Sequence, residues 1–397
     1  MNVELKSAFL SGNIKAIPSK SYAHRIAICN FLAGENPVSN CGEFRSNDIV
    51  VTEKCLSDLR AGQTVLDCGE SGSTLRFLIP LCATIGGEFE FICHGKLIER
   101  PNVELFSAIE KNGVTAIQTD KIYLKGKLEA GKYFVKGNVS SQYVSGLLMA
   151  LPFLKEDSEI VLTTPLSSAP YVDITIQVLN AFGVDVQKTA NGFFVKGGQR
   201  YCGNIKPEGD WSNSAFFLCA GAINGDVTVS GLNLDSVQGD KQILQVLESA
   251  GATVVKDQNG VQVKKSNLKS FIMDAENCPD LVPICACLAS FANGVSVIKN
   301  VTRLKIKESD RIESVISMLS AFSVKAEFNG VDLIVHGGSV QAGKVNSFND
   351  HRIVMSSAVM ALGANGSSVI TGAQAVNKSY PNFFNHYNLI GGQANEF

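Results

Sequence analysis

SGSTLRFLIPLCATIGG, residues 71–87, opens on polar Ser71 and continues as a stretch that is apolar or small nearly all round, with one cation, Arg76, near its start. A stretch of that kind reads as a helix buried on every side. It has five relatives in the chain: SKSYAHRIAICNFLAG (19–34), SSQYVSGLLMALPFL (140–154), DWSNSAFFLCAGAING (210–225), PDLVPICACLASFANG (279–294) and NDHRIVMSSAVMALGANG (349–366). Successive starts are 52, 69, 70, 69 and 70 residues apart. Near-constant spacing marks an internal repeat, each copy a supersecondary piece that needs neighbours to cover its apolar surface.

The segments between the apolar stretches repeat too. A turn leads into a short β-type run such as EFEFICHG (88–95), SEIVLTTP (158–165) or GVSVIKNV (294–301). Next comes an amphipathic helix, as in VELFSAIEKNGV (103–114) or DRIESVISMLSAF (310–322), with apolar residues at helical spacing and a charged face. Short strands such as KIYLKG (121–126) and DLIVHGG (332–338) close four of the copies. The repeat therefore reads β-α-β-α-β-β. The first copy is shorter, and DIVVTEKCLSDLRAG (48–62) is the remnant of its second helix. The expected fold is α/β, with two domains of three repeats each, packed around buried helices. The boundary falls at Lys206-Pro207-Glu208-Gly209-Asp210, and a crossover near Lys15–Pro18 would carry the N-terminal strand into the second domain. The expected domains are 15–208, and 1–14 with 209–397.

Composition narrows the function classes. Of 397 residues, 45% are hydrophobic and 18% charged, and 35 Lys and Arg against 37 Asp and Glu leave a formal charge of −2. Without a basic excess, general binding to nucleic acid or a membrane surface is disfavoured. The eleven cysteines contain no Cys-x-x-Cys pair, and Cys285 and Cys287 sit in an apolar stretch, so they read as reduced core residues. Glu4 and Lys6 interrupt any signal-type opening, and the longest apolar runs, Val144–Leu154 and Leu281–Ala292, are too short to span a bilayer. A cytoplasmic protein is expected.

The positive charge is placed unusually. Lys20 and Arg25, Arg76, and Arg352 stand at the starts of three of the six apolar helices. Cations there oppose the helix dipole, whose N-terminal end is already positive, unless an anion completes the arrangement. Taken singly, each reads equally as a solvated surface charge. Lys305–Arg311 adds three cations and two acids in seven residues, which otherwise reads as an exposed loop leading to a capped helix. Asp280 could be only a helix cap, and His24 and His351 only hydrogen-bonded scaffold residues. No Walker or dinucleotide loop, metal spacing or Ser-His-Asp arrangement is present. The residues themselves describe a repeat protein whose helix starts converge on a small polyanion.

In these same segments the chain resembles the 5-enolpyruvylshikimate-3-phosphate synthase family. Ser19-Lys20-Ser21 with Arg25, Gly69–Arg76, Glu99-Arg100-Pro101, Ser140-Ser141-Gln142 and Ser168 with Pro170-Tyr171 match its motifs in order. Pro279-Asp280, Lys307–Arg311, Asn349–Arg352, and Lys378 before Tyr380-Pro381 continue the series. Pro18, Ala23, Glu70, Phe77, Asn382 and Arg303 depart from the usual residues, and Arg303 replaces an Asn that often contacts the shikimate.

The resemblance implies an inside-out α/β barrel in each domain and transfer of the carboxyvinyl group of phosphoenolpyruvate to the 5-hydroxyl of shikimate 3-phosphate, in aromatic amino-acid biosynthesis. It implies addition and elimination through a tetrahedral intermediate, with no metal and no organic cofactor. It places Ser21, Arg25, Ser140, Ser141, Ser168, Tyr171, Asp280 and Lys307 on shikimate 3-phosphate. Gly72, Arg100, Arg311, Arg352 and Lys378 fall to phosphoenolpyruvate, with Lys20 and Gln142 between the substrates. Asp280 is the expected base, Glu308 the expected acid, and Lys20 the third catalytic group. A monomer is expected whose partners are these two substrates, with neither nucleic acid nor membrane among them, and whose domains close on ligand. Two rivals stand beside this reading. One is the sister carboxyvinyltransferase for UDP-N-acetylglucosamine, which carries a reactive Cys before an Arg-Pro pair, as Cys93 precedes Arg100 here. The other is a non-catalytic anion-binding scaffold, which has no need of carboxylates at Asp280 and Glu308.

Overall fold

The computed structural model describes every residue from Met1 to Phe397. The chain divides into two compact units: Lys20–Pro207, and Met1–Ser19 together with Glu208–Phe397. The unit of residues 20–207 contains α1 (Lys20–Leu32), α2 (Asn47–Arg60), α3 (Gly72–Ile85), α4 (Val103–Glu110), α5 (Ser141–Ala150) and α6 (Ala169–Ala181). The other contains α7 (Trp211–Asn224), α8 (Ile243–Ser249), α9 (Val282–Ser290), α10 (Arg311–Ala321), α11 (His351–Gly363) and α12 (Phe383–Leu389).

The odd-numbered helices are the apolar stretches of the repeat, and they form the buried layer. All nine residues of α9 are buried, as are twelve of the thirteen in α11. The even-numbered helices bury one face only; in α2 five of fourteen residues are buried. Composition decides this difference, because a helix without a polar face has nothing to offer water.

Five four-stranded sheets share one plan. In four of them two parallel strands are joined across an odd-numbered helix, since parallel pairing requires a long crossover. In the fifth the parallel pair is Leu10–Lys15 with Gly225–Ser230, far apart in sequence; in all five, two further strands add antiparallel. In one of them Val65–Asp67 runs parallel to Gly87–Ile92, with Leu66 opposite Phe91, and Gly87–Ile92 runs antiparallel to Ile122–Gly126, with Phe89 opposite Leu124. The N-terminal strands complete sheets at the other end of the chain. Leu10–Lys15 pairs in parallel with Gly225–Ser230, and Asn2–Lys6 lies antiparallel between Ser367–Thr371 and Ala394–Glu396. Residues 20–207 are thus an insertion between two paired strands of the other unit.

The first repeat keeps its two helices but has no sheet of its own; only the isolated bridge Pro18–Gly209 lies beside it. The linker between α1 and α2 explains why. It carries Gly34, Pro37 and Gly42 and no alternating run, so nothing in it favours an extended ladder. Helices α1 and α2 pack on each other, and α1 also packs on α6.

Candidate active site

Three helix starts of the unit that holds the C-terminus, those of α9, α10 and α11, bring charge together, and Lys378 joins them from the end of a short 3-10 turn. Asp280 lies in the short 3-10 turn Pro279–Leu281 that leads into α9. Its Oδ1 accepts from Arg311 Nη1 at 2.9 Å and lies 3.6 Å from Lys307 Nζ. Its Oδ2 accepts from Arg352 Nη2 at 2.9 Å, and Arg352 Nη1 donates to the Asp280 carbonyl at 3.1 Å. Burial opposes the charge on Asp280, but Arg352, Lys307 and Arg311 outweigh it and hold the carboxyl well below the ordinary range.

Arg311 begins α10 behind the cap of Asp310, which accepts from the backbone N–H groups of Ile312 and Glu313. Its guanidinium serves three carboxylates. Nε donates to Asp350 Oδ2 at 2.9 Å, Nη1 to Asp280, and Nη2 to Glu308 Oε2. Burial works against this charge, yet Asp350, Glu308 and Asp280 raise the pKa of Arg311 above its usual value. Asp350 also caps α11 by accepting from the Arg352 N–H at 2.9 Å, and its Oδ2 accepts from Ser309. One buried carboxylate therefore sets the start of α11 and the position of Arg311 together. Just before it, Phe348 and Asn349 are both left-handed, at φ 52° and 56°, a costly backbone for Phe. The Asn349 carbonyl turned out by that bend accepts from Lys378 Nζ at 2.7 Å. Lys307 is half-buried, and that burial lowers its pKa although Asp280 pulls the other way.

In the unit of residues 20–207 the arginines are held largely by neutral partners. Arg25 is 3% exposed and donates to Thr175 Oγ1 at 2.6 Å, Ser145 Oγ at 3.1 Å, and the carbonyls of Ser21 and Tyr171. Burial brings its pKa down to about 10. Arg100 lies over the start of α3: a Cβ built on Gly72 would fall 2.6 Å from Arg100 Nη1, so only glycine leaves room for it. Ser71 caps that helix, accepting from the Thr74 N–H. Lys20 opens α1 and pairs with Asp48 of α2 at 2.8 Å. Ser140 caps α5, beside Ser141 and Gln142. Ser168, before Tyr171, is left-handed at φ 55° and almost fully buried at the start of α6. Non-glycine strain of this kind concentrates at functional sites.

The residues expected from the sequence thus gather in local groups: Asp280, Lys307, Glu308, Arg311 and Arg352 in one; Arg100 with Gly72; Gln142 beside Ser73; and Arg25 with Ser21 and Tyr171. Other readings come out more plainly. His24 is buried against Thr52 at 2.7 Å, and burial, with Lys20 and Arg25, lowers its pKa well below the usual value, which makes it a neutral scaffold residue. Arg303 pairs with Glu276. Cys93 lies just past the strand Gly87–Ile92 and packs on the core, where burial pushes its thiol up to about 12. A cavity of about 530 Å³ beside the start of α6, lined by Leu162–Leu166 and Lys188–Phe193, includes none of the expected residues. Sequence reasoning missed Asp48 and the buried Asp240. It quoted Asp350 only as part of a motif; an acidic cap directly before a basic helix start was the available signal.

Across the whole chain the fold is that of the enolpyruvyl transferases. Solved structures of similar shape include EPSP synthase from Acinetobacter baumannii (TM-score 0.79, 22% identity, all of both chains) and the enolpyruvyl transferase NikO from Streptomyces tendae (TM-score 0.77, 15% identity, 99% of this chain and 98% of that one). Within that class, the family model for EPSP synthase (3-phosphoshikimate 1-carboxyvinyltransferase) matches residues 41–387. Proteins named 3-phosphoshikimate 1-carboxyvinyltransferase from Clostridium kluyveri and Clostridium acetobutylicum are 39% and 36% identical over all of this chain and 98% of their own lengths. The chain belongs to the EPSP synthase family.

Proposed function

We propose that the protein transfers the carboxyvinyl group of phosphoenolpyruvate to the 5-hydroxyl of shikimate 3-phosphate and releases phosphate. One observation carries the reading: in a chain of this family, Asp280 is held between Arg311, Arg352 and Lys307 with Glu308 on the same guanidinium. An anion store alone has no use for two carboxylates among its cations. A reaction that takes a proton from a hydroxyl and delivers another to a methylene requires both.

In this reading the substrate anions replace protein ones. The carboxylate of phosphoenolpyruvate takes up Arg352 and Arg311, with Lys378, Arg100 and the backbone at Gly72 completing its contacts. Asp280, relieved of part of its positive surroundings, regains basicity and accepts the proton of the 5-hydroxyl. Glu308, loosened from Arg311, delivers a proton to the methylene carbon. The 5-oxygen bonds to C2 as the C2–C3 double bond takes up that proton, giving the tetrahedral intermediate. Glu308 then takes a proton back from the C3 methyl group, the double bond re-forms, and the C2–O bond to phosphate breaks as Asp280 gives its proton to the departing phosphate. Ser21, Arg25, Ser140, Ser141, Ser168, Tyr171 and Lys307 hold shikimate 3-phosphate, while Lys20 and Gln142 serve both substrates.

The UDP-N-acetylglucosamine alternative wants a reactive cysteine, and the packed Cys93 with its raised pKa offers little thiolate. The deciding experiment is phosphate release from phosphoenolpyruvate with each acceptor alcohol. Turnover with shikimate 3-phosphate and none with UDP-N-acetylglucosamine is expected. The reverse result, or no release with either, would overturn the proposal.

A further inference from the structure

Arg76 is the one helix-start cation to which the proposed reaction gives no role. It lies on α3, is 3% exposed, and every arm of its guanidinium is engaged by protein. Nη1 donates to Gln142 Oε1 at 2.8 Å, Nη2 to the Pro101 carbonyl at 3.0 Å, and Nε to Asn102 Oδ1 at 3.2 Å. The guanidinium also lies over the Tyr143 ring, 5.3 Å from its centroid, and the Tyr143 hydroxyl donates to the same Pro101 carbonyl. Asn102 in turn donates from Nδ2 to the Arg100 carbonyl at 3.2 Å. One side chain thereby ties α3, the Arg100-Pro101-Asn102 corner and the start of α5.

The chemistry of those arms has a direction. A guanidinium has donors only, so the atom of Gln142 that faces it must be the carbonyl oxygen. The Gln142 amide is left pointing away, and its Nε2 donates to Ser73 Oγ at 2.9 Å. Without Arg76 the carboxamide could turn over and present an acceptor where an anionic substrate needs a donor. The other two arms hold the chain just after Arg100, whose guanidinium packs over Gly72: Nη2 bonds the Pro101 carbonyl directly, and Nε reaches the Arg100 carbonyl through the Asn102 carboxamide. From this geometry we infer that Arg76 is a positioning residue for anion recognition: it fixes Gln142 as a donor and sets Arg100 over the start of α3. The inference deepens the proposed function and rests on its placement of Gln142 and Arg100.

The test is a double-mutant cycle read in KM and kcat from phosphate release, with thermal midpoints alongside. The variants are Arg76→Met, Arg76→Lys, Gln142→Ala, Gln142→Glu and Arg76→Met/Gln142→Ala. Arg76→Met and Gln142→Ala should each raise the KM for phosphoenolpyruvate by about tenfold, the size expected for a hydrogen bond to a charged group. The double variant should be little worse than the worse single one, because an unoriented Gln142 has already lost its function. Gln142→Glu pairs with Arg76 and should keep the thermal midpoint while raising KM as Gln142→Ala does. Arg76→Lys, which can still reach Gln142 with one donor but cannot fork, should recover part of the KM loss. Independent, multiplying effects in the cycle would overturn the inference. So would a lowered midpoint with unchanged KM in Arg76→Lys, a comparison that stands even where Arg76→Met does not fold. A wild-type protein inactive with shikimate 3-phosphate would refute the proposed function instead, and the same cycle would then be read from calorimetric binding of phosphoenolpyruvate.

Discussion

Arg311 Nε lies 2.9 Å from Asp350 Oδ2, and neither side chain exposes more than 1% of its surface. Two charges removed so completely from water are tolerable only as a pair, and losing one leaves the other uncompensated. Asp350→Ala should therefore lower unfolding stability by about 3–5 kcal/mol. It also deprives α11 of its cap. Urea titration at neutral pH measures the loss, and a change under about 1 kcal/mol, the size of an exposed pair, would mean that Arg311 re-pairs fully with Asp280 and Glu308.

Arg352→Ala should weaken phosphoenolpyruvate binding by about 1.5–3 kcal/mol, the contribution of hydrogen bonds to a charged group. Shikimate 3-phosphate should bind nearly as before. Isothermal calorimetry with each ligand separates the two, and equal affinity of wild type and variant for phosphoenolpyruvate would remove Arg352 from its site.

Asp280→Asn and Glu308→Gln keep size and polarity while abolishing proton transfer. Each should depress kcat by roughly 10²–10⁴-fold, the range of general acid–base catalysis. A variant that turns over at the normal rate would show its carboxylate to be only a counter-ion for Arg311 and its neighbours.

Two neighbouring carboxylates should shape stability in opposite pH windows. Asp280 is held below its ordinary pKa, so its contribution is present above about pH 4 and is lost as pH falls through its folded value. Asp240 is 5% exposed, and its Oδ1 has no hydrogen-bond partner. Burial first, then the charge of Asp280, raises it to about 7 against the pull of Arg352. A carboxyl with a raised pKa favours the folded state when protonated, so stability should fall as pH rises from about 4 to about 7. Asp240→Asn should flatten the upper window and Asp280→Asn the lower one, as read from urea midpoints between about pH 3 and 8, a range that brackets both windows. Parallel profiles for wild type and Asp240→Asn would show that Asp240 takes up protons alike in the folded and unfolded chain, with no raised pKa.

Gly72→Ala places a methyl only 2.6 Å from where Arg100 Nη1 now lies. The obstructing atom is the far end of a flexible side chain, so the fold should accommodate it with a stability change within about 1 kcal/mol. The displaced guanidinium should raise the KM for phosphoenolpyruvate by about tenfold, as expected for a lost bond to a charged group. Unchanged kinetics would mean that Arg100 does not act from that position.

What the sequence determined by itself was whatever depends on local pattern. The six apolar stretches became the buried helices, because a segment such as Pro279–Gly294 without a polar face can only go inside. The capped start of α10 was legible for the same reason, Asp310 satisfying N–H groups two and three residues away, while Ser71, Asp210 and Asp350, which stand at the heads of their apolar stretches, prove to be caps of the same local kind. Tertiary structure alone decided how the charges are partnered. Lys20 meets Asp48, Arg25 meets Thr175 across 150 residues, and Arg352 meets Asp280 across 72. It also decided that Arg25, Arg76 and Arg311, read as cations awaiting an anion, are already surrounded by acceptors of the chain itself. Hydrophobic periodicity is a property of neighbours along a helix, so one sequence carries it. Pairing of buried charges depends on which helix starts the packed layers bring within about 3 Å, and no local pattern encodes that.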